Sequence, residues 1–299
     1  MKLCTLGELL KEGTDFLKKS NITEAGLDAW LLLEYVTGKN RAYYFAHQEE
    51  PVSEETTQTY RELLEKRGQH IPLQHLTHQA FFMGYEFYVD EHVLVPRQDT
   101  EVLVEEVLKA LKGRENPYIL DMCTGSGCIL SSILLETAGA LGTGVDLSKE
   151  ALKVAKKNAE SLGVGERARF IHSDLFSNSY FCKKDGKELP VYDILVSNPP
   201  YIPTAQIGSL MEEVQFHDPF MALDGREDGL YFYRAITKRA MEFLVPGGWL
   251  MYEIGCEQGE AVQELLRQEG FEKIEIKQDL CGLDRVVLGQ KANLGGKNV

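Results

Sequence analysis

The strongest constraint on how this chain can fold is the alternation of strand-like and helical segments beyond residue 118. Short apolar runs at 118–122, 142–146, 168–172, 192–198, 249–254, 272–277 and 284–288 have the length of buried strands, and helical stretches fill most of the gaps. Strands separated by helices are expected to lie parallel, with crossovers on both faces of the sheet. Too few residues separate the last two runs for a crossover helix, so these two are expected to pair antiparallel at one edge. The expected class is α/β, with a seven-stranded, mainly parallel, Rossmann-like sheet.

Upstream the period changes. Leu6, Leu9, Leu10 and Leu17 form one helical stripe; Leu27, Trp30, Leu31 and Tyr35 form a second, widened by Leu32, Leu33 and Val36. Asn21-Ile22-Thr23-Glu24 separates these helices and offers capping residues to the second. A third helix is expected from Ser53, as N-cap, to Arg67, with Gly68 ending it. Between His78 and Val95 the sequence is aromatic and β-rich around Gly84, the pattern of a hairpin. The expected organisation is a small N-terminal helical docking domain over 1–75, a β-hairpin linker over 76–95, the α/β domain over 96–290 and a flexible tail over 291–299.

Charge and composition exclude several classes. The chain of 299 residues carries a net charge of −14, and residues 1–90 hold nine Lys/Arg against fourteen Asp/Glu, so neither part has the basic footprint of a duplex DNA binder. Six scattered cysteines without a C-x-x-C pair read as free thiols in a reducing compartment. His70, His75 and His78 lack a carboxylate or thiol at ligand-like spacing, so no metal is expected. No apolar run approaches a membrane span, and Glu8 falls where a signal peptide needs apolar residues. A cytoplasmic protein without a membrane partner, and a monomer, is expected.

The first strand of the α/β region leads into Asp121-Met122-Cys123-Thr124-Gly125-Ser126-Gly127, followed by an apolar helix. Gly125 and Gly127 would let a ligand approach the backbone where that helix begins, although a G-x-G is also a common tight turn. The second strand ends in Asp146, twenty-five residues after Asp121, near where a ribose-binding carboxylate belongs. The third leads to Asp174-Leu175, an acid and an apolar side chain suited to an adenine amino group and ring. Alone, Asp146 or Asp174 reads as a helix cap; in strand order with the glycine turn they describe a nucleoside site. Without a third glycine or a pyrophosphate cradle, S-adenosyl-L-methionine fits better than a dinucleotide.

The fourth strand ends in Asn198-Pro199-Pro200-Tyr201. Neither proline has an N–H, whereas the Asn198 side chain and the Pro199 main chain each offer a carbonyl, so the rim is suited to receive an NH2 group. Pro200 holds Pro199 extended and so fixes the direction of its carbonyl. On the fourth strand, Asn198 would also sit beside the cofactor methyl.

With these motifs the chain resembles the release-factor glutamine methyltransferases, the HemK/PrmC family, over nearly its whole length. The resemblance rests on Pro96-Arg97-Gln98-Asp99-Thr100-Glu101, Thr124-Gly125-Ser126-Gly127, Asn198-Pro199-Pro200-Tyr201, Asp218-Pro219 with Ala222-Leu223, and Glu253-Ile254-Gly255. Cys123 stands where that family usually has glycine, and Gln98-Asp99 replaces a Pro-Glu pair. The resemblance implies a methyltransferase sheet and N5-methylation of the glutamine in the Gly-Gly-Gln loop of class 1 peptide chain release factors. It implies that Asn198 and Pro199 hold the two amide hydrogens and that Tyr201 packs against the amide. Arg97, Thr100 and Glu101 read equally as a helix start, and Glu253 by itself as a surface acid at a strand end. The nearest alternative is adenine N6-methylation of nucleic acid, whose exocyclic NH2 suits the same acceptors but needs a flipped base and phosphate contacts. A different class is a cofactor-binding protein without catalysis, which would not need Asn198.

Overall fold

A computed structural model describes residues 3–183 and 188–293. The chain forms helices α1 (Leu6–Lys19), α2 (Ala25–Thr37), α3 (Arg41–Ala46), α4 (Glu54–Gly68) and α5 (Leu73–Thr77), then the hairpin strands β1 (Ala80–Phe82) and β2 (Tyr85–Phe87). There follow α6 (Glu101–Leu111), β3 (Tyr118–Met122), α7 (Cys128–Glu136), β4 (Leu141–Asp146), α8 (Lys149–Ser161), β5 (Ala168–His172) and β6 (Tyr192–Ser197). Three short helices, α9 (Thr204–Ile207), α10 (Glu212–His217) and α11 (Phe220–Leu223), precede α12 (Tyr231–Phe243), β7 (Leu244–Glu253), α13 (Gly259–Gln268), β8 (Glu272–Gln278) and β9 (Asp284–Gln290). Two compact units result: residues up to Gln79 with Met211–His217, and Ala80–Leu210 with the chain from Asp218 onward.

In the first unit, α1 begins with a reciprocal cap in which Glu8 N–H donates to Thr5 Oγ1 at 3.2 Å and Thr5 N–H donates to Glu8 Oε2 at 2.9 Å. Ser53 caps α4 as expected, accepting from Thr56 N–H at 3.1 Å. Helix α2 bears out its expected stripe only in part: Trp30, Leu32 and Leu33 are buried, joined by Ala25 and Ala29, while Leu27 and Tyr35 are 47% and 44% exposed. This helix is apolar on nearly every side, so periodicity does not select a face, and packing on α1 and α4 does. Nor does the segment before it supply a cap; Glu24 makes no capping hydrogen bond, and Ile22 is buried instead.

Arg67 ties this unit together from inside. Its Nε donates to Asp28 at 2.7 Å, Nη1 to the Ile71 carbonyl at 3.1 Å and Nη2 to Glu213 at 2.9 Å. A guanidinium taken out of water needs that many acceptors to offset its lost hydration.

In the second unit seven strands run in the order β5-β4-β3-β6-β7-β9-β8. The β3–β4, β4–β5, β3–β6 and β6–β7 pairs are parallel, and β9 is antiparallel to both its neighbours, as the short last connection requires. Strand β7 starts at Leu244, ahead of Pro246-Gly247-Gly248, because an irregularity opposite Tyr192 and Ile194 absorbs those residues. One face packs under α6 and α7 through Leu103, Val107, Ile129 and Ile133; the other packs under α12 and α13 through Ile236, Phe243, Val262 and Leu266. Each such buried side chain contributes about 1.5–3 kcal/mol.

The hairpin turns at Met83 and Gly84, both at positive φ (52° and 78°), and places Phe82 and Phe87 in the core beneath α6. At the other end of the chain, Lys291 is anchored by its Nζ on the carbonyls of Met241 and Leu244, at 2.7 and 2.6 Å. Of the flexible tail expected over 291–299, residues 294–299 lie outside the described residues. The strand order reverses between β3 and β6, and the crevice above such a reversal is where ligands bind in open α/β sheets.

Candidate active site

The loop after β3 is built to leave space. Its backbone passes through positive φ at Cys123 (64°), Gly125 (54°) and Gly127 (75°), and the Gly127 N–H returns to the Thr124 carbonyl at 2.8 Å. Thr124 Oγ1 donates to Asp121 Oδ2 at 2.6 Å, and Gly125 N–H donates to Asp146 Oδ2 at 2.9 Å. Ser148 N–H donates to the other Asp146 oxygen at 2.8 Å, so this acid fastens the second strand end to the glycine loop. The cap of α8 is Ser148, not Asp146.

The two glycines do different things. A Cβ on Gly125 would meet nothing within 4 Å, whereas one on Gly127 would lie 3.0 Å from Ala155 Cβ and 3.1 Å from its Cα. Gly125 opens the loop to a ligand; Gly127 lets α7 and α8 close together. Gly127→Ala is therefore expected to cost more in stability, about 2–4 kcal/mol from backbone strain plus overpacking, against about 1 kcal/mol for Gly125→Ala. Thermal unfolding of the two variants side by side checks this order.

Electrostatics favour a cation here. Asp121 is fully buried, and its Oδ1 has no hydrogen-bond partner. Burial pushes its carboxyl up to about 7, against the opposing bond from Thr124. Burial likewise raises Asp146, and raises the Cys123 thiol with help from Asp146 and Asp121. A folded-state value above the unfolded one means the folded state holds the extra proton, so stability owed to Asp121 falls as pH rises from about 4 through 7. Asp121→Asn keeps an acceptor for Thr124 and is expected to raise Tm by about 3 °C or more at pH 8, with the gain shrinking toward pH 4. Calorimetric scans of both proteins across that range check the sign.

Asp174 is exposed just past β5, and Leu175 beside it holds φ at 46°. Left-handed backbone at a residue other than glycine, here and at Cys123, is strain of the kind that gathers at ligand sites. The donor set fits the expected cofactor: an orphaned buried carboxylate oxygen for an ammonium tail, open space above Gly125, and acids with spare lone pairs for hydroxyls.

Across the strand reversal stands the second half of the site. Ser197 pairs with Met122 of β3 and with Tyr252 of β7, and its hydroxyl donates to the Met122 carbonyl. The chain then leaves the sheet through half-buried Asn198, buried Pro199 and Pro200, and half-buried Tyr201. The Tyr201 carbonyl accepts from Gln258 Nε2 at 2.9 Å, and a Cβ on Gly225 would lie 2.8 Å from Tyr201 Cα. Gln258 and Gly225 escaped the sequence analysis; nothing local marks either, because both act on a segment distant in the chain.

Glu253 corrects an expectation. It is 3% exposed, not a surface acid, and burial raises its carboxyl to about 7, opposed by the side chains of Thr100, Arg285 and Asn198 and aided by Asp99. Thr100 is buried and makes no capping bond, and its hydroxyl is close enough to Glu253 to lower that carboxyl. Glu101 accepts from the Met83 N–H of the hairpin at 2.7 Å, and Arg97 pairs with the buried Asp218 at 3.0 Å.

This sheet order, with a glycine loop and acids after the first three strands and a carbonyl-lined turn after the fourth, defines an S-adenosylmethionine-dependent methyltransferase. Residues 8–77 match the PrmC N-terminal domain, and residues 98–215 match the methyltransferase small domain. The chain is 36% identical over 278 residues to a release factor glutamine methyltransferase of Clostridium acetobutylicum, covering 93% of this chain and 95% of that one. It is 38% identical over 287 residues to that of Caulobacter vibrioides, covering 96% of each. The chain belongs to the release factor glutamine methyltransferase family. Its fold is also that of the hMettl16 catalytic domain in complex with MAT2A 3'UTR hairpin 6, at a TM-score of 0.51 and 15% identity over 71% of this chain and 77% of that one.

Proposed function

We propose that this chain methylates the side-chain amide nitrogen of the glutamine in the Gly-Gly-Gln loop of class 1 peptide chain release factors, using S-adenosyl-L-methionine. The observation that carries this reading is the placement of Asn198-Pro199-Pro200-Tyr201 at the end of β6, across the strand reversal from the glycine loop after β3. S-adenosyl-L-methionine, when bound, supplies a sulfonium methyl group as the electrophile. Asp121 would accept from its ammonium group, Cys123, Thr124, Gly125, Ser126 and Gly127 would line its passage, Asp146 would take the ribose hydroxyls, and Asp174 and Leu175 the adenine.

An amide nitrogen is a poor nucleophile because its lone pair is delocalised into the carbonyl. Asn198 Oδ1 and the Pro199 carbonyl would each accept one amide hydrogen, hold the nitrogen in line and stabilise the positive charge it gains. Pro200 keeps the Pro199 carbonyl aimed, Tyr201 packs against the amide plane, and Gln258 holds Tyr201 by its main chain. The flanking glycines of the substrate loop let its backbone enter so close a space.

The helical unit serves as the docking domain for the release factor. The chain is expected to act as a cytoplasmic monomer; its net charge of −14 argues against duplex DNA as a substrate, and among the described residues no helix is long and apolar enough to cross a membrane. Adenine methylation is not favoured, since the relatives that match nearly end to end are release factor enzymes. The test is single-turnover transfer of labelled methyl to a purified release factor, its Gln-to-Ala loop variant, and single-stranded and duplex nucleic acids. Label on the unaltered factor alone is expected; label on nucleic acid would overturn the reading.

A further inference from the structure

Glu253 is a buried acid at the site to which the chemistry above assigns no part. Because Ser197 and Tyr252 are partners in the parallel β6–β7 pair, Asn198 and Glu253 follow them side by side at the C-terminal edge of the sheet. The Glu253 Oε2 atom is buried without a hydrogen-bond partner, and the Asn198 side chain faces the carboxyl.

An asparagine amide has an acceptor on one side and two donors on the other, and a half-turn of its last torsion exchanges them. A substrate amide NH2 offers hydrogens to the pocket. If Asn198 presented Nδ2, donor would meet donor, and neither orientation of the substrate would be held. What stands behind Asn198 therefore decides whether it can work. In its ionised form Glu253 has no hydrogen to give, so it draws Nδ2 to itself and leaves Oδ1 facing forward; the protonated acid would instead donate to Oδ1.

We propose that Glu253 is a positioning residue that accepts a hydrogen bond from Asn198 Nδ2 and thereby turns Asn198 Oδ1 toward the substrate amide. This rests on the reading of Asn198 in the preceding subsection. Such bonds are commonly long before substrate arrives and shorten in the complex. The Tyr233 hydroxyl, also nearby, is engaged by the Glu253 main-chain carbonyl at 2.9 Å and does not compete for the carboxylate. Thr100 and Arg285 lower the carboxyl and Asp99 raises it, while Tyr201, Tyr233 and Cys128 are further titratable groups that feel its charge; Arg285 itself pairs with Asp99 and Asp279.

The test compares Glu253→Gln and Glu253→Ala in the full chain, reading kcat and KM for a purified release factor and the Kd for S-adenosyl-L-methionine by calorimetry. Glutamine keeps an acceptor for Nδ2 but adds a donor that can meet Oδ1, so Glu253→Gln should lose kcat by about tenfold, whereas Glu253→Ala, which offers no acceptor, should lose about 100-fold. KM and cofactor Kd should stay within about threefold for both. Should Glu253→Ala not fold, Glu253→Met fills the space without an acceptor and carries the same expectation. Equal losses in the two variants, an undiminished kcat in Glu253→Ala, or a loss confined to cofactor Kd would each overturn the proposal. If the unaltered chain labels no release factor, the parent reading fails and this inference with it. If it does, and Glu253→Ala labels as fast, this inference alone fails.

Discussion

Asn198→Ala is expected to lower kcat for release factor methylation by about 10²–10³-fold while leaving S-adenosyl-L-methionine affinity within a few-fold. The reaction asks a delocalised nitrogen lone pair to attack, so the acceptors must polarise the amide as charge develops on it, and that interaction is strongest in the transition state. Removing Oδ1 leaves the Pro199 carbonyl, which is why activity should fall steeply without vanishing. The Asn198 main chain stays, and with it the β6 register against Met122 and Tyr252. Single-turnover labelling measures the rate, and titration calorimetry measures the cofactor. A variant that kept its rate would remove the basis for placing the substrate amide at this turn.

The second large effect concerns the helical unit. Arg67→Ala is expected to destabilise that unit by about 3–5 kcal/mol, because Asp28, itself 6% exposed, would keep its buried charge and lose its partner at 2.7 Å. Glu213 would lose the same guanidinium, to which it now pairs at 2.9 Å. Burial already raises the Asp28 carboxyl, Arg67 holds it down, and Glu213 pushes it up further. Without Arg67 the carboxyl should take up a proton more readily, so the destabilisation should shrink as pH falls. Urea unfolding of the full chain, followed by far-ultraviolet dichroism at pH 8 and pH 5, reads both size and sign. The double variant Arg67→Met with Asp28→Leu should recover most of the loss, since replacing both partners by apolar groups removes the desolvation cost along with the attraction. Equal instability in single and double variants would overturn the account in which an unpaired buried charge causes the loss.

What the sequence by itself determined are features set within a few residues of one another. The strand runs, the Ser53 cap, the turn at Gly84 and the antiparallel last pair follow from periodicity, turn chemistry and connection length, and each stands where those rules place it except β7, which begins five residues early at Leu244. The glycine loop and Asn198-Pro199-Pro200-Tyr201 are legible for the same reason, since both mark strand ends by composition. Burial is not local in this sense. Whether Glu253 lies in water or beneath Thr100 and Asn198 depends on β6 pairing with β7 and on a segment some 150 residues upstream. Helix α2 could have turned any of several apolar faces inward until α1 and α4 chose one. Gln258 holds the Tyr201 carbonyl, and Gly127 admits Ala155, through space rather than along the chain. Tertiary structure decided these, because a side chain's charge state and partners are set by what the fold packs against it, and that packing joins residues whose separation in sequence carries no local signal.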